Sequence, residues 1–210
     1  MIGCLVDQLG STLKQDTSTS RLSAQDVSDE PQLIKAVLRG DKQSYEVLVR
    51  RYQKLVYNVL YQMVRSHETA CDLTQETFIK ALRGLPGFQL NRSFKPWLLR
   101  IATNACLNAI RDTKEHESLE AILEENPHAE PADKSDVEME AEWRLSQQQL
   151  NDALATLPVR HREIFVLRYQ HDLSYEEISE VTGETLSAVK SQLFRIRERL
   201  RVILKESMNA

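Results

Sequence analysis

Apolar residues recur along this chain at helical spacing, and no stretch alternates apolar with polar residues convincingly enough to predict a strand, so the expected fold is all-α. The clearest pattern runs from Leu173 to Ile203. Ser174 followed by Glu177 predicts a capping box, in which hydroxyl and carboxylate each satisfy an amide of the first turn. Ile178 and Val181 then share a face. Gly183 supplies a break where positive φ costs little. Thr185 caps a second helix, on which Leu186, Val189, Leu193, Ile196, Leu200 and Ile203 form an inward apolar stripe at alternating spacings of 3 and 4. Two helices joined by a glycine turn predict a helix-turn-helix. A supporting helix carries Ile164, Phe165, Leu167 and Tyr169. Trp143, Leu145, Leu150, Leu154 and Leu157 open this second domain, ahead of Pro158.

The first half predicts a separate helical bundle. Leu33, Ile34, Val37 and Leu38 make a short helix between Pro31 and Gly40, and Asp41 caps the next. That helix carries Tyr45, Leu48, Val49, Tyr52, Leu55, Val56, Val59, Leu60, Met63 and Val64 over about six turns. Ser66 restarts the chain. Ala70, Leu73, Phe78, Ile79 and Leu82 give a third helix, ended by Gly84-Leu85-Pro86-Gly87. Phe94, Trp97, Leu98, Ile101, Ala102 and Ala105 give a fourth, with Pro96 in its first turn, where its missing N–H costs nothing. The expected organisation is a disordered N-terminal tail over 1–30, a helical domain over 31–112, a flexible linker over 113–142 and a helix-turn-helix domain over 143–206.

Charge sharpens this division. The formal net charge of −4 over 210 residues would argue against a nucleic-acid partner. It is unevenly spread, however: residues 1–30 carry −3, 31–111 carry +8, 112–142 carry −10 and 143–210 carry +1. Local charge sets local potential, so the total hides a basic first domain behind an acidic linker that self-repels and extends. The second helix of the helix-turn-helix adds its own basic face: from Ser187 to Lys205 there are six basic residues and one acidic, Glu198. A helix bearing Lys190, Ser191, Arg195, Arg197 and Arg199 opposite an apolar stripe fits the major groove, where side chains reach base edges and phosphates.

The first domain carries two further patterns. Arg92, Lys95, Arg100 and Arg111 are interleaved with Phe94, Trp97, Asn104 and Asn108. Basic groups track phosphates, and aromatics and amides stack on or hydrogen-bond unpaired bases. Phe94 and Trp97 are expected mainly in the core, leaving the asparagines and basic residues for contact. Asp72, Gln75 and Glu76 lie together on the third helix, an acidic, hydrogen-bonding patch on a basic domain.

Three cysteines, Cys4, Cys71 and Cys106, are too few and too scattered for a disulfide framework or a zinc site. Cys71 and Cys106 are expected as small core residues. No segment approaches the ~20 apolar residues of a membrane span, and Met1 to Leu9 is too short and acidic for a signal peptide, so the expected location is cytoplasmic, without membrane insertion. There is no phosphate loop, no metal-ligand spacing and no nucleophile–base pair, so neither an enzyme nor a cofactor is expected.

Taken together, the strings resemble the sigma-70 superfamily of bacterial RNA polymerase sigma factors, in its two-domain extracytoplasmic-function group. Asp72-Leu73-Thr74-Gln75-Glu76-Thr77-Phe78 is similar to that family's D-x-x-Q-E-x-F, and Phe94-Lys95-Pro96-Trp97-Leu98-Leu99-Arg100-Ile101-Ala102-Thr103-Asn104 to its F-x-x-W-L-x-x-I-A-x-N. Leu157-Pro158 with Arg162, Phe165, Leu167, Arg168 and Tyr169, then Leu173 to Ile178 and Val189-Lys190-Ser191, continue the match. The resemblance implies a factor that binds core RNA polymerase, recognises minus-35 and minus-10 promoter elements and promotes melting. It implies docking of Asp72, Gln75, Glu76 and Phe78 on the β′ clamp helices, and a second contact with the β flap. Minus-10 contacts would come from Arg92, Lys95, Arg100, Asn104, Asn108 and Arg111, near an unpaired base whose extrusion costs a few kcal/mol of stacking. Minus-35 contacts would come from Ser187, Lys190, Ser191, Phe194, Arg195, Arg197 and Arg199. A separate anti-sigma factor is the implied regulator, with association with the nucleoid when bound to polymerase. Two departures stand out: Asn108 occupies a position where many relatives have Asp, and Ser187-Ala188 replaces a usual Gly-Thr. The competing reading is a stand-alone helix-turn-helix regulator that binds duplex operator DNA as a dimer.

Overall fold

The structure, a computed structural model, describes residues 29–117 and 150–208. The N-terminal tail up to residue 28, most of the acidic linker, Cys4, Trp143 and Leu145 lie outside the described residues. The described residues are helical, with no strand among them.

The first domain begins with α1, Glu30–Leu38, one residue ahead of the expected start. Its first turn holds Pro31, and Glu30 turns inward to accept the Tyr52 hydroxyl proton in a buried hydrogen bond. Burial raises the Glu30 carboxyl above its ordinary pKa. α2, Lys42–Val64, is capped by Asp41, which accepts the Gln43 N–H at 2.9 Å and the Ser44 hydroxyl at 2.7 Å. It ends on Arg65, in left-handed conformation at φ 60°. Ser66 caps α3, His67–Gly84, and a 3₁₀ turn over Leu85–Gly87 follows. α4 spans Phe94–Glu117.

α2 is the central helix of this domain, packed by α1, α3 and α4. Phe94 meets Tyr52 and Phe88 edge-on, at centroid separations of 5.4 and 5.7 Å, and Trp97 leans on both phenylalanines. A Cβ built on Gly84 would lie 3.3 Å from the Trp97 ring, so the glycine lets α3 approach the indole. Phe94 is fully buried and Trp97 packs against the core, as expected.

α3 differs from expectation. Its buried stripe is Leu73, Thr74, Thr77, Phe78 and Ala81, whereas Ile79 and Leu82 are 38% and 42% exposed. The threonines can replace aliphatics on the inner face because each hydroxyl donates to the carbonyl one turn back, Thr74 to Ala70 at 2.7 Å and Thr77 to Leu73 at 2.6 Å. Cys106 is a buried core residue, while Cys71 is only half-buried, 3.7 Å from His67 Nε2.

The second domain opens with a helical stretch over 150–155. α5, Val159–Phe165, runs into one π-helical turn, Val166–Gln170, before α6, Tyr175–Thr182, and α7, Leu186–Met208. The capping box is present: Glu177 N–H donates to Ser174 Oγ at 3.1 Å, and Ser174 N–H donates to Glu177 Oε2 at 2.8 Å. Gly183 ends α6 at φ 74°, and Thr185 Oγ1 accepts the Ala188 N–H at 3.2 Å. Val189, Leu193, Ile196 and Leu200 are buried, so α7 lies against α5 and α6 by the expected stripe.

The two domains touch. α6 packs on α4, and α5 on α2.

Candidate nucleic-acid interface

α7 presents its outer face without competition. Ser187, Lys190, Ser191, Phe194, Arg195, Arg197 and Arg199 are all exposed, with Phe194 at 59%. An aromatic ring this exposed beside Lys190, Ser191 and Arg195 makes the face both cationic and apolar, suited to phosphates, base edges and thymine methyls. The near end of the face is braced: Lys190 Nζ and the Arg168 guanidinium lie 5.8 and 4.9 Å from the Tyr175 ring centroid. Gln192 donates to the Glu184 carboxylate, which ties α7 to the turn before it.

α4 presents a second face. Arg100, Asn104, Asn108 and Arg111 are exposed and follow one another at spacings of 4, 4 and 3, one side of one helix. Beneath them Ala102, Thr103, Ala105 and Cys106 are buried, which fixes the direction of the outer row. Arg111 pairs loosely with Asp112 at 3.5 Å. The remaining two predicted residues, Arg92 and Lys95, are engaged elsewhere. Lys95 Nζ donates to the His171 carbonyl at 3.3 Å, and Arg92 Nη1 lies 3.6 Å from the Glu180 carboxylate. Both partners belong to the second domain.

On α3, Asp72 and Glu76 are exposed, and Gln75 is half-buried beside them. Glu76 bonds Lys80 one turn on at 2.6 Å, an exposed pair of little energetic weight. Phe78 does not join this face: it is 7% exposed and packs inward, while its carbonyl accepts from the Tyr45 hydroxyl. The sequence reading missed Ile79 and Leu82, which extend the acidic face into an apolar one along the same side of α3. Their position off the Leu73–Phe78–Ala81 stripe was the available signal. No group of His, Cys, Asp and Glu able to hold a metal ion occurs among the described residues.

Arg162 was not assigned a site role. Its guanidinium donates to the carbonyls of Leu154, Ala155 and Leu157 at 3.1, 2.8 and 3.3 Å, and across the domain boundary to the Met63 carbonyl at 2.9 Å. Met63 lies in the last turn of α2, where carbonyls lack helical partners and a cation is favoured. Beside it, Glu163 is fully buried, bonded to Arg160 at 3.1 Å. Burial raises its pKa against the opposing pull of Arg160. Glu163 and Arg162 also bear on the buried Cys106 thiol of α4, whose pKa burial pushes up to about 12.

Two family models match this chain: Sigma-70 region 2 over residues 48–116, and Sigma-70, region 4 over residues 147–200. The ECF RNA polymerase sigma factor SigW of Bacillus subtilis (strain 168) is 32% identical over 181 residues, covering 82% of this chain and 95% of that protein. The ECF RNA polymerase sigma-E factor of Haemophilus influenzae is 33% identical over 182 residues, covering 83% and 94%. Among solved structures, RpoE of Bartonella quintana in complex with the anti-sigma factor NepR aligns with a TM-score of 0.64 at 23% identity, over 78% of this chain and 98% of that one, a likeness of fold.

Proposed function

The chain belongs to the extracytoplasmic-function sigma factors of the sigma-70 family, and we propose how its exposed faces divide the work of an alternative sigma factor in transcription initiation. The first domain, 31–112, docks on core polymerase and reads the minus-10 element. The acidic stretch 113–142 joins it in sequence to the second domain, 143–206, which reads the minus-35 element. The carrying observation is the presence of two separate outward rows: Arg100, Asn104, Asn108 and Arg111 on α4, and Ser187, Lys190, Ser191, Phe194, Arg195, Arg197 and Arg199 on α7.

Each row suits its target by chemistry. α7 is a basic helix on a helix-turn-helix, the form that enters a major groove. The α4 row mixes two amides with two guanidinium groups, which suits a single strand whose bases are splayed from the stack. Asp72, Gln75 and Glu76, extended by Ile79 and Leu82, form the face that docks on the β′ clamp helices, with Phe78 supporting it from beneath. The sigma-70 family is not a catalytic family, and this chain acts by positioning polymerase rather than by chemistry of its own. No described helix is long and apolar enough to cross a membrane. The place of action is the cytoplasm, on the nucleoid once polymerase is bound. A separate anti-sigma factor is the fitting regulator, since the structurally similar Bartonella factor is held by one.

The test is run-off transcription by bacterial core polymerase on a promoter library, with and without this protein. Promoter-specific transcripts that need the protein and weaken in Asp72→Ala/Glu76→Ala support both function and docking face. Absence of transcripts, with tight duplex binding by the protein alone, would point to a stand-alone regulator.

A further inference from the structure

The turn of the helix-turn-helix is fixed around one acidic residue, Glu184. Its N–H donates to Thr182 Oγ1 at 3.3 Å, its carbonyl accepts from Ser179 Oγ at 2.5 Å, and its carboxylate accepts from Gln192 Nε2. Gly183, just before it, lies at φ 74°, which lets the chain reverse between the two helices at little cost. Thr185, just after it, caps α7 at Ala188. The Glu184 carboxylate reaches farther than that cap. Gln192 stands six residues beyond Leu186, about 9 Å along the axis at about 1.5 Å per residue.

Gln192 sits at the seam between the two sides of α7. By helical rotation, buried Val189, Leu193 and Ile196 lie to one side of it, and exposed Ser191, Arg195 and Arg199 to the other. It is half-buried, and its Oε1 is buried with no partner among the described residues. Burying that oxygen costs free energy, which the charge-assisted bond from Nε2 to Glu184 offsets. Thr185 therefore holds the start of α7, and Glu184 holds its rotation two turns in. Rotation matters because base readout is short-ranged. At a side-chain radius of about 5 Å, a turn of about 10° moves the outer groups by roughly 0.9 Å. Donor–acceptor distances to a base edge vary by only about 0.5 Å, whereas attraction to phosphates falls off over about 8 Å.

We propose that Glu184 is a positioning residue for promoter discrimination: through Gln192 it sets the rotation of α7, and with it the placement of Lys190, Ser191, Phe194 and Arg195 on the bases of the minus-35 element. This rests on the assignment of α7 to minus-35 contacts. Glu184 acts through Gln192 and needs no contact with DNA of its own. Loss of the tie leaves the basic face of α7 intact, so binding to duplex of any sequence persists through phosphate contacts. What falls is the preference for the correct sequence, which base-edge contacts carry.

The test uses the full chain assembled with core polymerase, on a promoter selected from the run-off library and on the same promoter with its minus-35 element scrambled. The readout is the ratio of transcript from the two at fixed salt. Gln192→Glu sets two carboxylates against each other and should lower that ratio about tenfold, and Glu184→Ala should lower it about fivefold. Adding Glu184→Gln to Gln192→Glu exchanges donor and acceptor at unchanged net charge, and should restore the ratio to within about twofold of the parent. Loss without restoration would make Gln192 a direct DNA contact and overturn the proposal. So would an unchanged ratio in Glu184→Ala when the parent discriminates. The slope of binding against salt on the scrambled promoter should stay within about one unit of the parent in every variant, because the basic residues are untouched. Collapse of that slope would show an unfolded second domain and overturn a positioning role. If the parent itself does not discriminate between the two promoters, the minus-35 assignment fails, and the proposal with it.

Discussion

The two domains are stabilised by different physics. The first is held by apolar volume: α2 is 23 residues long and lies among three other helices, with Tyr52, Phe88, Phe94 and Trp97 interlocked at one end. The second relies on short elements, α5 of 7 residues and α6 of 8, and isolated helices of that length do not persist in water. It compensates by satisfying its ends: the Ser174–Glu177 box, the Gly183 turn, the Thr185 cap, and Arg162 serving three carbonyls of its own domain. One domain is a core with caps added, whereas the other depends on its caps to assemble a core. Mutations should therefore separate them by mechanism.

The largest effect belongs to the first domain. Phe94→Ala removes a fully buried ring from the centre of the aromatic cluster and should destabilise that domain by about 3–5 kcal/mol through lost burial and a cavity. Denaturant unfolding followed by Trp97 fluorescence, in a Trp143→Phe background, reads this domain alone. A loss below about 1 kcal/mol would mean the cluster repacks, against the volume-based account.

Next comes Arg162→Ala, which strips a charged donor from four carbonyls in two domains. Each bond to a charged group contributes about 1.5–3 kcal/mol, partly offset here by water reaching the half-exposed carbonyls, so a net loss of about 2 kcal/mol is expected. Lys is a poor substitute, because one ammonium cannot span the fork of carbonyls that a guanidinium reaches. Equal stability of Arg162→Lys and the parent, in denaturant unfolding followed by circular dichroism of the whole chain, would break the argument.

The boundary between the domains sharpens the comparison through pH. His171 lies beneath it, and burial, reinforced by the Lys95 ammonium and opposed by Asp172, depresses its pKa from 6.5 to about 4. A depressed pKa means that the neutral imidazole favours the folded, packed arrangement. That contribution is complete above pH 6.5 and is lost as pH falls toward 4. Glu163 acts in the opposite sense: its raised pKa makes its contribution complete in acid and lost as pH rises. Titration of the His171 Cε1 proton by NMR isolates the first effect. A midpoint near 4, moving upward in Lys95→Met, is expected, whereas an unperturbed midpoint near 6.5 in the parent would show that the imidazole is solvated rather than packed.

The helix-turn-helix was legible in the sequence because its signals are local. Ser174, Glu177, Gly183, Thr185 and the α7 stripe each act within a few residues of themselves, and each took the expected place. The exposed rows on α4 and α7 followed from the same periodicity. What was missed depends on partners distant in the chain. Lys95 meets a residue 76 positions away, Arg162 one 99 positions away, and no spacing pattern announces either. Ile79 and Leu82 were placed inside by hydrophobicity, yet two threonines with hydrogen bonds to their own backbone took the inner positions. Glu30 and Glu163 were invisible as buried groups, because carboxylates are buried only when specific tertiary partners receive them.

The smallest effect tests the comparison most directly. Ser174→Ala and Asp41→Ala remove equivalent N-cap oxygens, each expected to stabilise its helix by about 1 kcal/mol. On α2 that loss is confined to fraying of the first turn, since Leu48, Tyr52 and the residues beyond hold the rest of a long helix in the core. On α6 the first turn is half the element, and Ile178 and Val181 are its only buried residues. Hydrogen exchange should therefore accelerate across all of α6 in Ser174→Ala, about fivefold for 1 kcal/mol, but only near Lys42 to Tyr45 in Asp41→Ala. Ser174→Asp, which keeps an acceptor at the cap, should restore protection. Equal, local effects in both helices would mean that the second domain is held by its core after all, and that its short helices are no more dependent on their ends than the long ones.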